Sequence, residues 1–172
     1  QIREKHGEFI LFSSAFCYIS KKMIDDVSEV YRKSNWNSLK NREEDEINWA
    51  KFTLKEFQAN IKVFKKIDKD KSCPQIIIRP HPSEDHAEWR RIASSFNKIK
   101  VIYEGEITPW IYASSALLHR GCASAIQAHM FGIPIGYPIF TKKTLKKALP
   151  YEISEHFYNA EEIIDFCKKH IG

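Results

Sequence analysis

Apolar residues fall along this chain in two rhythms: short unbroken runs, and longer stretches in which they recur every three or four positions. Glu8 to Cys17 (EFILFSSAFC) opens as a compact apolar run and turns polar at Ser13 and Ser14, the pattern of a strand and its following loop. Ser20 to Asn41 has weak periodicity and polar clusters, which predicts a long excursion with one short helix. From Glu43 to Lys66 the apolar residues Ile47, Ala50, Leu54, Phe57, Ile61 and Phe64 alternate three and four apart. They form one stripe of the longest helix, with Lys, Glu and Gln opposite. After a charged turn at Asp68 to Pro74, Gln75 to Arg79 is a short continuous apolar strand, the kind buried on both faces of a parallel sheet.

The second half alternates more quickly. Ser83 can cap a helix whose first turn holds Glu84 and Asp85 and whose inner face is Trp89, Ile92, Ala93 and Phe96. Lys98 to Tyr103 predicts a third strand. Thr108 as cap and Pro109 at the first helical position open a short helix. Ala116 to His119 reads as a fourth strand, Cys122 to Phe131 as a helix stopped at Gly132, and Ile133 to Tyr137 as a fifth strand. Asn159 starts a last helix with Ile163, Ile164 and Cys167 on one side. Strand and helix in this succession predict an α/β fold: a three-layer, Rossmann-like domain around a mostly parallel sheet. In such sheets ligands bind beyond the carboxyl ends of the strands, so the polar residues after the second, third and fourth strands are expected in one crevice.

With 172 residues, 43% hydrophobic and 13% aromatic, the chain can bury one substantial core, so a single domain over 1–172 is expected. Because the chain enters a strand almost at once, a partner domain outside it is also expected. The 27 Lys and Arg against 22 Asp and Glu give +5. Much of the basic charge falls in helix-like stretches, Lys62, Lys65, Lys66 and Lys142, Lys143, Lys146, Lys147. A solvated helix face accounts for it most simply, with a phosphate-rich ligand or an anionic membrane surface as the alternative; nucleic-acid binding is not called for. Cys17, Cys73, Cys122 and Cys167 are widely separated and have no histidines at zinc spacing, which argues against a disulfide framework or a structural metal. No apolar run approaches the roughly 20 residues of a membrane span. A cytoplasmic location is therefore expected, with peripheral attachment at the inner membrane as its variant.

Two strand ends carry the chemistry. In Arg79-Pro80-His81-Pro82 the prolines stiffen the loop and set the Arg and His directions, so that guanidinium and imidazole can grip a diphosphate. A rigid loop with an exposed histidine is the plainer alternative. In His119-Arg120-Gly121-Cys122-Ala123-Ser124 a glycine permits close backbone approach, and Gly121, Cys122 and Ala123 can offer N–H groups while Ser124 offers a hydroxyl. An ordinary strand-to-helix turn is the alternative there. Gln127, one helical turn beyond Ser124, can reach a ribose hydroxyl or simply face solvent. Glu104 ends the third strand, and Trp110 can stack on a base or pack in the core. Cys122 has no general base in evidence beside it and reads as a small turn residue rather than a nucleophile.

The order R-P-H-P-S-E, then E-G-x-x-x-x-W, then H-x-G-C-x-S-A-x-Q-A-x-x-x-G-x-P resembles the carboxy-terminal, donor-binding half of bacterial glycosyltransferases of the GT-B architecture. The surface-carbohydrate biosynthesis group is nearest, with kinship to capsule and teichoic-acid polymer transferases that share an H-P motif. The resemblance covers nearly the whole chain, and Gly7 to Leu11 looks like the segment joining the two domains. It implies that His81 and Arg79 engage the donor phosphates as the catalytic pair. Glu104, Trp110, His119 and Gly121 to Ser124 would bind substrate, and Gln127 would take the ribose where related transferases often carry glutamate. It further implies a nucleotide-sugar donor, a saccharide or lipid-linked acceptor, a catalytic base from an amino-terminal domain, and no cofactor. Without an Asp-x-Asp to recruit one, no metal is expected. A polyol-phosphate transferase using a CDP-alcohol, a nucleotide-sugar epimerase and a non-catalytic binding domain are the competing expectations.

Overall fold

The computed structural model describes residues 1–33, 37–140 and 148–172, and for 37–41 the backbone alone. Lys142, Lys143, Lys146 and Lys147, read above as a basic stretch, lie outside the described residues. In chain order the elements are α1 (Ile2–His6), β1 (Phe9–Ser13), α2 (Lys21–Lys33), α3 (Asn37–Lys69), β2 (Gln75–Arg79), α4 (His86–Ala93) and β3 (Ile99–Val101). Then follow α5 (Thr108–Ala113), β4 (Ala116–His119), α6 (Ser124–Met130), β5 (Ile135–Pro138), α7 (Leu149–Glu152), β6 (Glu155–Phe157) and α8 (Ala160–Lys169).

Every strand pairing is parallel, and the sheet order is β3-β2-β1-β4-β5-β6. This is the doubly wound, Rossmann-like order. Period-two alternation sorts the strand side chains between two cores. Ile10 and Phe12 of β1, with Ile76 and Ile78 of β2, face Phe57, Phe64 and Ile67 of α3, Trp89 of α4 and Phe166 of α8. Phe9 and Leu11, with Ile77 and Leu117, face Trp110 and Ile111 of α5 and Ala125 and Ala128 of α6. The crossovers to β2 and β3 thus cover one face and those to β4 and β5 the other, giving three layers around a sheet buried on both sides. That burial is why the strands read as continuous apolar runs.

Several boundaries differ from the sequence expectation for identifiable reasons. The excursion from Ser20 holds a full helix, α2, whose Ile24 is buried, and α3 begins before Glu43. At 33 residues α3 is about 50 Å long, far longer than a five-residue strand. Its Glu56 and Phe57 already lie level with the strand ends, against Arg120 and Phe16, so the preceding turns extend past the sheet on the crevice side. The cap of α4 is Asp85, which accepts from Glu88 N–H at 2.9 Å, rather than Ser83. Thr108 sits inside α5 and makes no capping bond. The short β6 was not legible, because Glu155-His156-Phe157 buries only its last residue well.

Candidate functional site

The sheet order reverses between β1 and β4, and there the loops leaving four strands enclose a crevice of about 420 Å³. Its walls are Ser13 and Ser14 after β1, Arg79 to Pro82 after β2, Tyr103 and Gly105 to Ile107 after β3, and Cys122 to Ser124 after β4. His81 and Ser124, far apart in sequence, therefore share one cavity. This is the position where doubly wound sheets bind ligands.

Arg79 occupies the crevice floor differently from the sequence expectation. Its side chain is buried, Nη1 donates to the Glu104 carbonyl at 2.7 Å and Nη2 to the Gly105 carbonyl at 2.7 Å. The guanidinium also lies over the rings of Tyr103 and Trp110, 5.3 and 5.1 Å from their centroids. Its two terminal nitrogens thus bind backbone and are not presented as a fork to a ligand. Only Nε lacks a hydrogen-bond partner. Among the described residues no carboxylate pairs with Arg79; Glu104 turns its own toward Lys5 at 3.6 Å. Burial pulls the guanidinium below its ordinary pKa range, which marks how little solvent it keeps.

His81 is held by its neighbours rather than by the crevice. Its N–H donates to Glu84 at 2.8 Å, its carbonyl lies 2.9 Å from His86 Nε2, and its Nδ1 lies 2.8 Å from Ser83 Oγ. Glu84, expected in the first turn of the helix, lies before its cap and is buried. Besides His81 N–H, its carboxylate accepts from Ser14 Oγ, Phe16 N–H and Trp89 Nε1. It staples the loop after β1 to the loop after β2, and burial pushes its pKa up despite those four donors. Only its place beside His81 in the sequence could have pointed to it.

On the opposite wall Ser124 Oγ donates to Ser13 Oγ at 3.0 Å, and the Cys122 thiol lies 2.6 Å from Ser124 Oγ and 3.3 Å from Ser13 Oγ. These three small side chains join the end of β1 to the start of α6. Gly121 has φ 85°, where L side chains are strained, and Tyr137 sits directly over it. The remaining expected residues stand back from the cavity. Trp110 is buried with its indole N–H on the Glu104 carbonyl at 2.9 Å, so it is core and cannot stack on a base; Tyr103, half-exposed, is the aromatic ring on the wall. His119 is fully buried, accepting at Nδ1 from Gly121 N–H at 3.0 Å and facing Ser154 Oγ through Nε2 at 2.8 Å. Burial, reinforced by Arg120 and His156, drives its pKa down to about 3. Gln127 meets Thr108 Oγ1 at 3.4 Å and is not in the wall, and Glu104 contributes its carbonyl rather than its carboxylate.

Sequence reasoning missed Ser13, Ser14 and Tyr103. The serines were visible as the first polar residues after an apolar run, and Tyr103 as the last residue of its strand-like stretch. Among the described residues no helix is long and apolar enough to cross a membrane. No family model, curated protein or solved structure matches the chain.

Proposed function

We propose that this chain is the donor-binding domain of a glycosyltransferase, taking a nucleotide-activated sugar in the crevice between β1 and β4. One observation carries the reading: Arg79 is a buried cation with no carboxylate partner among the described residues, in the wall of an open cavity. A desolvated charge without a counter-ion is costly, and an anionic ligand in the same crevice recovers part of that cost. His81 stands in the same wall, with Ser13 and Ser124 opposite.

In this reading the phosphoryl group lies between the His81 loop and the Ser13–Ser124 wall, with Tyr103 as the ring available to the base. The departing nucleotide is stabilised by fixed donors and needs no metal. The sugar faces out of the crevice toward an acceptor, held by a second domain that also brings the base. The reaction is surface-polysaccharide synthesis at the cytoplasmic face of a membrane.

A thermal-shift panel of UDP-, GDP-, CDP-, CMP- and ADP-sugars tests this. One nucleotide class is expected to raise the melting temperature, by about 2.7 kcal/mol of stabilisation at a hundredfold excess over Kd, with or without chelator. His81→Ala should remove the response. A response lost on chelation contradicts the metal-free mechanism, and silence across the panel contradicts nucleotide binding.

A further inference from the structure

His81 separates two cavities: the crevice, and a side cavity of about 100 Å³ lined by Ala15, Phe16, Cys17, Ser83 and Glu84. Ser83 belongs to the wall of the side cavity only. The Ser83 backbone N–H donates to His81 Nδ1 at 3.2 Å, and Ser83 Oγ lies 2.8 Å from the same nitrogen. A backbone N–H can only donate, so Nδ1 must offer its lone pair. A neutral imidazole whose Nδ1 accepts carries its hydrogen on Nε2. The hydroxyl then donates to Nδ1 as well, and the opposite edge of the ring bears the free N–H.

We propose that Ser83 is a positioning residue that holds His81 as the Nε2–H tautomer, so that the crevice receives from this ring a neutral N–H donor matched to an acceptor oxygen of phosphoryl type. The rest of the loop supports the same orientation. His86 Nε2 donates to the His81 carbonyl and the His81 N–H donates to Glu84, so both ends of the residue are pinned while the ring is tied at one nitrogen. The Arg79 guanidinium, which can only donate, lines the same crevice beside the His81 ring. His81 is thereby assigned to holding an oxyanion and not to removing a proton. Only the identity of the bound oxygen rests on the nucleotide-binding reading; the tautomer does not.

Long-range ¹H–¹⁵N correlation spectra of the ligand-free, ¹⁵N-labelled chain read the tautomer directly, with His81 assigned by its loss in His81→Gln. The expected wild-type spectrum has a protonated Nε2 and a bare Nδ1. Ser83→Ala, which keeps the backbone donor and removes the hydroxyl, should reduce the excess of that form by about threefold to tenfold, the worth of one hydrogen bond. A wild-type Nδ1–H signature, or a tautomer ratio that Ser83→Ala leaves unchanged, overturns the proposal. Nucleotide titrations add a second arm. Glutamine can place an N–H near the Nε2 position whereas asparagine reaches only the Nδ1 position, so His81→Gln should keep most of the affinity and His81→Asn lose it. The reverse order overturns the donor assignment. If no nucleotide binds wild type, the functional reading fails while the spectra still decide the tautomer.

Discussion

The Arg79 side chain reaches the Glu104 carbonyl, with Nη1 donating at 2.7 Å, and so ties the end of β2 to the loop that follows β3. The companion bond from Nη2 to Gly105 closes a fork, and Trp110 reinforces it by donating its indole N–H to the same Glu104 carbonyl. The crevice wall after β3 is therefore built from a β2 residue. Lysine cannot reproduce two parallel donors at fixed spacing. Arg79→Lys is expected to cost about 1–3 kcal/mol in urea unfolding, from the orphaned carbonyls. It should also weaken ligand binding although the positive charge is kept, because the wall after β3 loses its tie.

A second arginine lies behind the crevice. Arg120 meets Glu56 at 3.1 Å, both side chains are buried, and the guanidinium also rests on the rings of Phe16 and Tyr137. Glu56 Oε1 and Arg120 Nε have no other partner. Removing one member strands the other charge, so Glu56→Ala or Arg120→Ala should lower stability by about 3–5 kcal/mol. The double variant Glu56→Leu with Arg120→Met should lose far less than the sum, which a double-mutant cycle in denaturant measures.

His119 gives the fold a pH dependence whose sign follows from burial. Its folded pKa, about 3, lies well below the 6.5 of the unfolded chain, so the native state keeps the ring neutral while the unfolded state takes up a proton. Its contribution is complete above pH 6.5 and is lost as pH falls toward 3, at about 1.4 kcal/mol per pH unit at the steepest. His119→Asn, whose amide can still accept from Gly121 N–H, should flatten this slope. The difference between the two unfolding curves across pH isolates the ring from other groups.

Much of this architecture was legible because a doubly covered parallel sheet leaves a plain trace. β2 and β4 match their expected ranges because burial on both faces demands unbroken apolar residues with polar residues at each end. The convergence of His81 and Ser124 was legible for the same reason, since strand ends in such a sheet share one edge. What each polar residue touches was not. Arg79, Trp110 and His119 have the chemistry of ligand-binding side chains, yet each is spent on backbone or buried contacts that only the folded loops bring to it. Glu84 shows the converse, an acid beside a helix start whose four donors come from three separate segments.

Gly136 on β5 illustrates a constraint of packing alone. A Cβ there would run into the Phe157 ring of β6 and come within 2.7 Å of Leu118 Cδ2 on β4. Gly136→Ala is expected to cost about 1–3 kcal/mol through displaced neighbours. Thermal unfolding should show it, with nucleotide binding kept, because the site lies on the other side of β4.

The most direct test of the crevice as an anion site is a crystal structure of the chain with the nucleotide that gives the largest thermal shift. The phosphoryl group is expected between the loop of His81 and the Ser13–Ser124 wall, with one of its oxygens at hydrogen-bond distance from His81 Nε2. A nucleotide bound elsewhere on the surface, or one in the crevice whose phosphate lies away from both His81 and Arg79, would contradict it.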